Sequence, residues 1–167
     1  ALHERLTHDI DADRTVLVER NRDRQQALEQ LRRLRRSLPP GFRFAVKASR
    51  RITHDARLKA DAAADSLAYL YRTLESLGAK RGPVLFQLPP FIRKDLVRLG
   101  EFLALLPPDH RAAFEFRNES WFGDDVYAAL KGAGASLCLS EREDNAPPPL
   151  VETAPWGYVR LRLENYS

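Results

Sequence analysis

The sequence predicts an α/β protein that forms part of a (β/α) barrel, with about six parallel strands and helices packed outside them. Short apolar runs alternate with stretches in which apolar residues recur at helical spacing, and this alternation indicates strands separated by helices. The connections are short and the strand candidates are mostly apolar. Both properties are typical of parallel strands that are covered by helices.

The predicted elements follow one another along most of the chain. The strands are Thr15–Glu19, Phe42–Lys47, Pro83–Leu88, Ala112–Arg117, Ala135–Leu139 and Tyr158–Leu163. The helices between them are Asp23–Leu38, Leu67–Leu77, Leu96–Leu106 and Val126–Leu130. Proline and glycine punctuate the helix ends, as at Pro39-Pro40-Gly41 and Gly78. The segment from Glu141 to Pro155 is charged, rich in proline and without periodicity, so it is predicted to be a loop.

The composition indicates one soluble globular domain over residues 1–167. Hydrophobic residues make up 44% of the chain and charged residues 30%, which is an ordinary balance. The sequence has no run of about 18 apolar residues and no apolar signal-peptide core at its start. Because it has a single cysteine, Cys138, it cannot form an internal disulfide, and a cytoplasmic location is expected. Cys138 lies within an apolar strand, where a core thiol is favoured over a nucleophile.

The net charge is slightly positive, at +4, from 27 Lys and Arg residues against 23 Asp and Glu residues. Such an excess permits a nucleic-acid or phosphate partner without requiring one. The arginine pairs Arg32-Arg33 and Arg35-Arg36 flank apolar positions of the first helix, so a solvated outer face explains them better than a nucleic-acid footprint.

Strand alternation places several polar residues on the face that points away from the helices. Successive strand residues point to opposite faces, and phenylalanine, valine and leucine fill one face of four strands. In a barrel, polar residues late on the other face reach the mouth at the C-terminal ends of the strands. An excess of Lys and Arg there favours an anionic ligand with a phosphate or carboxylate group. The alternative to a binding site is an internal ion-pair network, or an antiparallel sheet with one solvent-exposed face. The predicted inward residues are Lys47, Gln87, Glu115, Arg117, Arg160 and Arg162.

Four motifs then resemble a known family. They are Phe42-Arg-Phe-Ala-Val-Lys-Ala-Ser-Arg-Arg-Ile-Thr-His54, Gly82-Pro-Val-Leu-Phe-Gln-Leu-Pro-Pro90, Phe114-Glu-Phe-Arg-Asn-Glu-Ser-Trp121 and Tyr158-Val-Arg-Leu-Arg162. In this order the motifs are similar to those of the domain of unknown function 72 family (YecE-like proteins). The resemblance implies a TIM-type barrel with no established reaction. It adds Thr53, His54, Trp121 and Tyr166 to the residues expected at the mouth.

The N-terminal part departs from the family pattern. The glycine- and tryptophan-containing first strand of the family is missing, and Arg22-Asp23-Arg24-Gln25 replaces an aromatic segment after Val18-Glu19-Arg20-Asn21. A complete barrel has eight strands in about 250 residues. The chain is therefore expected to be a fragment that lacks the first and last strands, or to associate with a second copy through its open sheet edges.

Two residue types at the predicted mouth suit proton transfer. His54 is the first candidate for a general acid–base, because the unperturbed pKa of histidine lies near neutrality. A loop histidine that caps a helix is the alternative. Glu115 is the second candidate base, with Lys47 or Arg117 holding its charge or a substrate oxyanion, and a structural Glu–Arg pair is the alternative. Trp121 is either a stacking platform for a base or sugar or a hydrophobic lid over the following helix.

The function that the sequence favours is binding of a small anionic ligand, with hydrolase or lyase chemistry. A nucleic-acid-binding barrel resembling barrel endonucleases and a non-catalytic interaction protein are the other two hypotheses. No His-x-His, HExxH or cysteine cluster is present, so no metal site is predicted, and the sequence identifies no cofactor.

Overall fold

A computed structural model describes residues 25–26, 28–141 and 148–161. The predicted strand Thr15–Glu19 and the predicted mouth residues Arg162 and Tyr166 lie outside the described residues.

The centre of the described structure is a parallel sheet of five strands. In chain order they are β1 (Phe44–Lys47), β2 (Arg81–Gln87), β3 (Ala112–Glu115), β4 (Ser136–Ser140) and β5 (Tyr158–Arg160). Each strand pairs in parallel with the next one along the chain, so the spatial order is β1-β2-β3-β4-β5. The sheet curls into a half-barrel, which confirms the predicted fold class.

Helices connect the first four strands, as predicted. Helix α1 covers residues 25–26 and 28–37, and it is followed in chain order by α2 (Ala60–Leu74), α3 (Leu96–Ala104) and α4 (Asp124–Gly132). Helix α2 begins seven residues before Leu67, the residue at which the sequence pattern placed its start. The pattern missed the first turns of the helix because they are rich in alanine. Ala63 is fully buried there, although alanine gives only a weak periodic signal. The described part of the β4–β5 connection, residues 141 and 148–157, contains no helix, as its lack of periodicity predicted.

The hydrophobic core lies between the sheet and the helices. Phe86 and Phe114, from neighbouring strands, stack with ring centroids 5.2 Å apart, and Phe102 of α3 meets Phe86 edge-on at 5.3 Å. All three side chains are fully buried. Aromatic pairs in these geometries stabilise a core beyond the area they bury.

A second, smaller cluster occupies the inner face of the half-barrel. It contains Leu85, Ala113 and Cys138, with Trp156 and Tyr158 packed against it. These strand residues alternate with the phenylalanines and leucines of the outer core, so the predicted alternation is confirmed. Cys138 is buried on this inner face.

Strands β1 and β2 approach closely at Gly82. A Cβ atom at this position would overlap the carbonyl oxygen of Phe44, and the register of the two strands shifts between Phe44 and Val46. Only glycine allows so close a backbone approach, which explains its place within an otherwise apolar strand.

Candidate functional site

The parallel register brings the ends of the strands together. Gln87, the last residue of β2, lies opposite Glu115, the last residue of β3. Ser140 and Arg160 are opposite each other at the ends of β4 and β5. Because C-terminal ends of parallel strands meet at one edge of a sheet, inward side chains at these positions converge.

These side chains form one hydrogen-bonded group. The Lys47 Nζ atom donates to Gln87 Oε1 at 2.7 Å, and Gln87 Nε2 donates to Glu115 Oε1 at 2.7 Å. Arg117 Nε lies 3.4 Å from Glu115 Oε1, and Arg160 Nη1 lies 2.5 Å from Glu115 Oε2. Five of the six residues that strand alternation predicted are therefore in contact, and we call them the mouth cluster. The sixth, Arg162, lies outside the described residues.

The mouth cluster is built around a buried carboxylate. Glu115 has no exposed surface, whereas the side chains of Arg117 and Arg160 are 28% and 25% exposed. A buried charge is costly unless it is paired, and both Glu115 oxygens accept hydrogen bonds from cations. Glu115 thereby fixes the two guanidinium groups at the half-barrel mouth.

His54 lies in the connection that follows β1. A single π-helical turn, Arg51–Asp55, carries it, and the adjacent Thr53 is buried. The Thr53 Oγ1 atom lies 2.8 Å from His54 Nδ1 and donates to the Ser49 carbonyl at 3.4 Å. This contact orients the imidazole and engages Nδ1, so Nε2 is the nitrogen left for a ligand or a proton.

The electrostatic environment of His54 is positive. Burial lowers its pKa below 6.5, and the charges of Arg50, Lys47 and Arg117 lower it further, against an opposing effect of Asp55. Since Lys47 and Arg117 belong to the mouth cluster, His54 is within electrostatic reach of that cluster. The imidazole is neutral near pH 7 and can accept a proton there.

Trp121 belongs to the outer core. It is 1% exposed, stacks on Phe116 with centroids 4.6 Å apart and an interplanar angle of 4°, and donates from Nε1 to the Ile92 carbonyl at 2.8 Å. In this conformation neither ring face is accessible to a ligand. The ring is therefore packed in the core, which is not the geometry of a stacking platform.

Two inner-face residues were not selected from the sequence. Ser140 is 2% exposed at the end of β4, one position beyond the predicted end of that strand. Tyr158 lies on the inner face, where burial raises the pKa of its phenol; Cys138 and Glu115 raise it to a smaller extent, and the charge of Arg160 opposes the change. The signal that could have found both is strand alternation, because each lies two residues from another inward residue, Cys138 or Arg160.

Metal binding has no support among the described residues, which contain no group of three or more His, Cys, Asp or Glu side chains placed to hold an ion. In that same part of the chain, no helix has the length and apolar character needed to cross a membrane.

Comparison with known proteins identifies the family. The model for "Protein of unknown function DUF72" matches residues 12–167. The chain belongs to this family. A DUF72 family protein from Thermotoga maritima has a similar crystal structure, with a TM-score of 0.65 and 23% identity over 75% of this chain and 50% of that one. A DUF72 family protein from Enterococcus faecalis has a TM-score of 0.58 and 19% identity, covering 80% of this chain and 54% of that one.

These structures establish that the fold is shared. The chain spans about half the length of the solved DUF72 structures that it matches. No curated protein matches the chain.

Proposed function

We propose that the mouth cluster binds a small anionic ligand, through a phosphate or carboxylate group, at the C-terminal ends of the strands. The observation that carries this proposal is the convergence of Arg117 and Arg160 on the single buried carboxylate of Glu115, to which Lys47 is linked through Gln87. The three cations come from β1, from the residues after β3 and from β5, so only the folded half-barrel brings them together.

The exposure of the two arginines supports an anion. Their side chains are about a quarter exposed, so solvent and a ligand can reach them. Guanidinium groups match the geometry of phosphate and carboxylate oxygens, and such hydrogen bonds are stronger than neutral ones.

His54 supplies the proton transfer in this proposal. Its neutral imidazole is held by Thr53 through Nδ1, and Nε2 accepts a proton from water or from the ligand. An anion bound at Arg117 and Lys47 stabilises the imidazolium that forms, because it adds negative charge to a positive environment. Proton transfer beside a held anion suits a hydrolase or a lyase.

The test is a calorimetric titration of the folded chain with inorganic phosphate and with acetate, repeated on Arg117→Ala. The control is Arg98→Ala, since Arg98 lies on α3 and pairs with Asp95 away from the mouth cluster. We expect at least one anion to bind and to raise the melting temperature as its concentration increases. Both effects should be lost in Arg117→Ala and retained in Arg98→Ala. Equal binding by the two variants would refute the site.

The same titration, repeated with an oligonucleotide as competitor, distinguishes the two alternative functions. A nucleic-acid-binding barrel requires that an oligonucleotide compete with phosphate and bind with a steep salt dependence. A non-catalytic interaction protein requires that neither anion bind, with the mouth cluster acting as an ion-pair core alone.

A further inference from the structure

Phe91 is an exposed aromatic residue on a fixed loop at the same end of the half-barrel as the mouth cluster. It lies four residues after Gln87, the end of β2, and 64% of its surface is exposed. The loop cannot move freely. Asn118 Nδ2 donates to the Pro90 carbonyl at 2.7 Å, and Trp121 Nε1 donates to the Ile92 carbonyl at 2.8 Å.

The backbone on both sides of Phe91 is therefore held by side chains from the connection that follows β3. Ile92 is 5% exposed and anchors the loop, and its N–H closes a turn on the Pro89 carbonyl at 3.2 Å. The buried Ile92 side chain contributes to the hydrophobic core, whereas the exposed Phe91 ring adds little to it. A large aromatic side chain that is displayed on rigid backbone suits recognition of a ligand.

One face of the Phe91 ring is already covered by a cation. The Arg57 guanidinium carbon lies 5.6 Å from the ring centroid, in the range of cation–π interactions. Arg57 and Leu58 both have left-handed backbone conformations, with φ values of 53° and 59°, and Leu58 is buried. Non-glycine residues rarely adopt this conformation, and the buried Leu58 side chain fixes it here.

We infer that Phe91 and Arg57, the rim pair, form a subsite that stacks an aromatic or heteroaromatic group of the anionic ligand. The inference rests on the proposed function, since the mouth cluster holds the anionic group of the same molecule. His54 lies three residues before Arg57 on one connection, and the Cα of Phe91 lies at most about 14 Å from that of Gln87. The ligand class is an aromatic group joined to a phosphate or carboxylate by a linker of several atoms.

The test uses matched phosphate monoesters. Propyl phosphate, 3-phenylpropyl phosphate and 3-cyclohexylpropyl phosphate share a linker and an anion, and the last two differ in aromaticity. Their dissociation constants, and that of inorganic phosphate, are measured by calorimetry. The proteins are the unmodified chain, Phe91→Leu and the control Val97→Ala, since Val97 is 73% exposed on α3.

We expect the unmodified chain and Val97→Ala to bind the phenyl ester about three- to tenfold more tightly than the propyl ester, and more tightly than the cyclohexyl ester. In Phe91→Leu this preference disappears, while binding of inorganic phosphate is unchanged. The inference fails if inorganic phosphate binds but the phenyl ester has no advantage, or if the advantage persists in Phe91→Leu. Failure of every phosphate to bind would refute this inference, and failure of acetate as well would refute the proposed function.

Discussion

Arg160 and Glu115 are 45 residues apart in the chain, yet Arg160 Nη1 and Glu115 Oε2 are separated by 2.5 Å. Strand β4 lies between the strands that carry them, so the ion pair crosses the inner face of β4. Strands two positions apart in a sheet are separated by about 9 to 10 Å, a gap that the long arginine side chain can bridge. This contact joins β5 to the centre of the half-barrel and holds the mouth cluster together.

Replacing Glu115 with Gln is expected to destabilise the protein. The change keeps the shape of the side chain but leaves Arg117 and Arg160 without the carboxylate they share. Removing one partner of a buried ion pair costs about 3 to 5 kcal/mol, and we expect about 3 kcal/mol because both cations are partly exposed. The measurement is urea unfolding, with Glu119→Gln as a control because Glu119 is exposed. Equal stabilities of the two variants would show that Glu115 is dispensable for the fold.

Replacing Lys47 with Met is expected to raise the pKa of His54. The Lys47 charge is among the causes that lower this pKa, and methionine retains much of the side-chain volume without the charge. Arg117→Gln should raise it less, because the Coulombic effect of Arg117 is the smaller of the two. The measurement is an NMR titration of the His54 ring protons, assigned with His54→Gln. The control variant Arg98→Gln, on α3, should leave the His54 pKa unchanged. An unchanged His54 pKa in Lys47→Met would show that the mouth cluster has no electrostatic effect on His54.

Replacing Thr153 with Val is expected to weaken the attachment of the loop before β5. Thr153 is 3% exposed, accepts from Leu137 N at 2.8 Å and donates to the Ala135 carbonyl at 2.8 Å. Valine has nearly the same shape but leaves both backbone groups unpaired, at a cost of about 2 kcal/mol. The control is Thr73→Val, because the Thr73 hydroxyl donates within its own helix, to the Tyr69 carbonyl. Comparable unfolding midpoints for the two variants would contradict this role.

The side chains that the sequence predicts well are those governed by the two-residue period of a strand. Lys47, Gln87, Glu115 and Arg160 meet at one edge of the sheet because each lies late on the inward face of a parallel strand. Arg117 joins them although β3 ends two residues earlier, at Glu115. Strand alternation therefore identified the residues of the mouth cluster, although the predicted end of β3 was two residues too late.

Loop residues could not be predicted in the same way, because their positions depend on contacts between distant segments. His54 was found by family resemblance alone, and Thr153 lies in a segment with no periodicity. The loop around Phe91 is held by hydrogen bonds from Asn118 and Trp121, which follow a different strand. Trp121 itself illustrates the limit, since its motif did not reveal that the ring is stacked in the core.

His110 provides the last prediction, because its ring nitrogens are buried. Neither nitrogen has a hydrogen-bond partner in the part of the chain that the structure describes, and the ring meets Tyr71 edge-on at 4.5 Å. Burial lowers the pKa of His110 below 6.5, as does the charge of Arg81, while Asp109 and Glu75 oppose the change. The unfolded chain therefore binds more protons than the folded chain as the pH falls below 6.5. The contribution of His110 to the free energy of unfolding therefore decreases through that range and levels off below the folded pKa.

Replacing His110 with Phe is expected to raise the free energy of unfolding by about 1 kcal/mol at pH 7, because it removes buried polar atoms and keeps the edge-on contact with Tyr71. It should also reduce the loss of stability between pH 7 and pH 5. His54→Gln should reduce that loss separately, since burial and nearby cations lower the His54 pKa in the same direction. Urea unfolding at several pH values measures both effects, which should add if the two sites are independent. An unchanged pH dependence in His110→Phe would mean that the His110 imidazole is solvated in the folded protein.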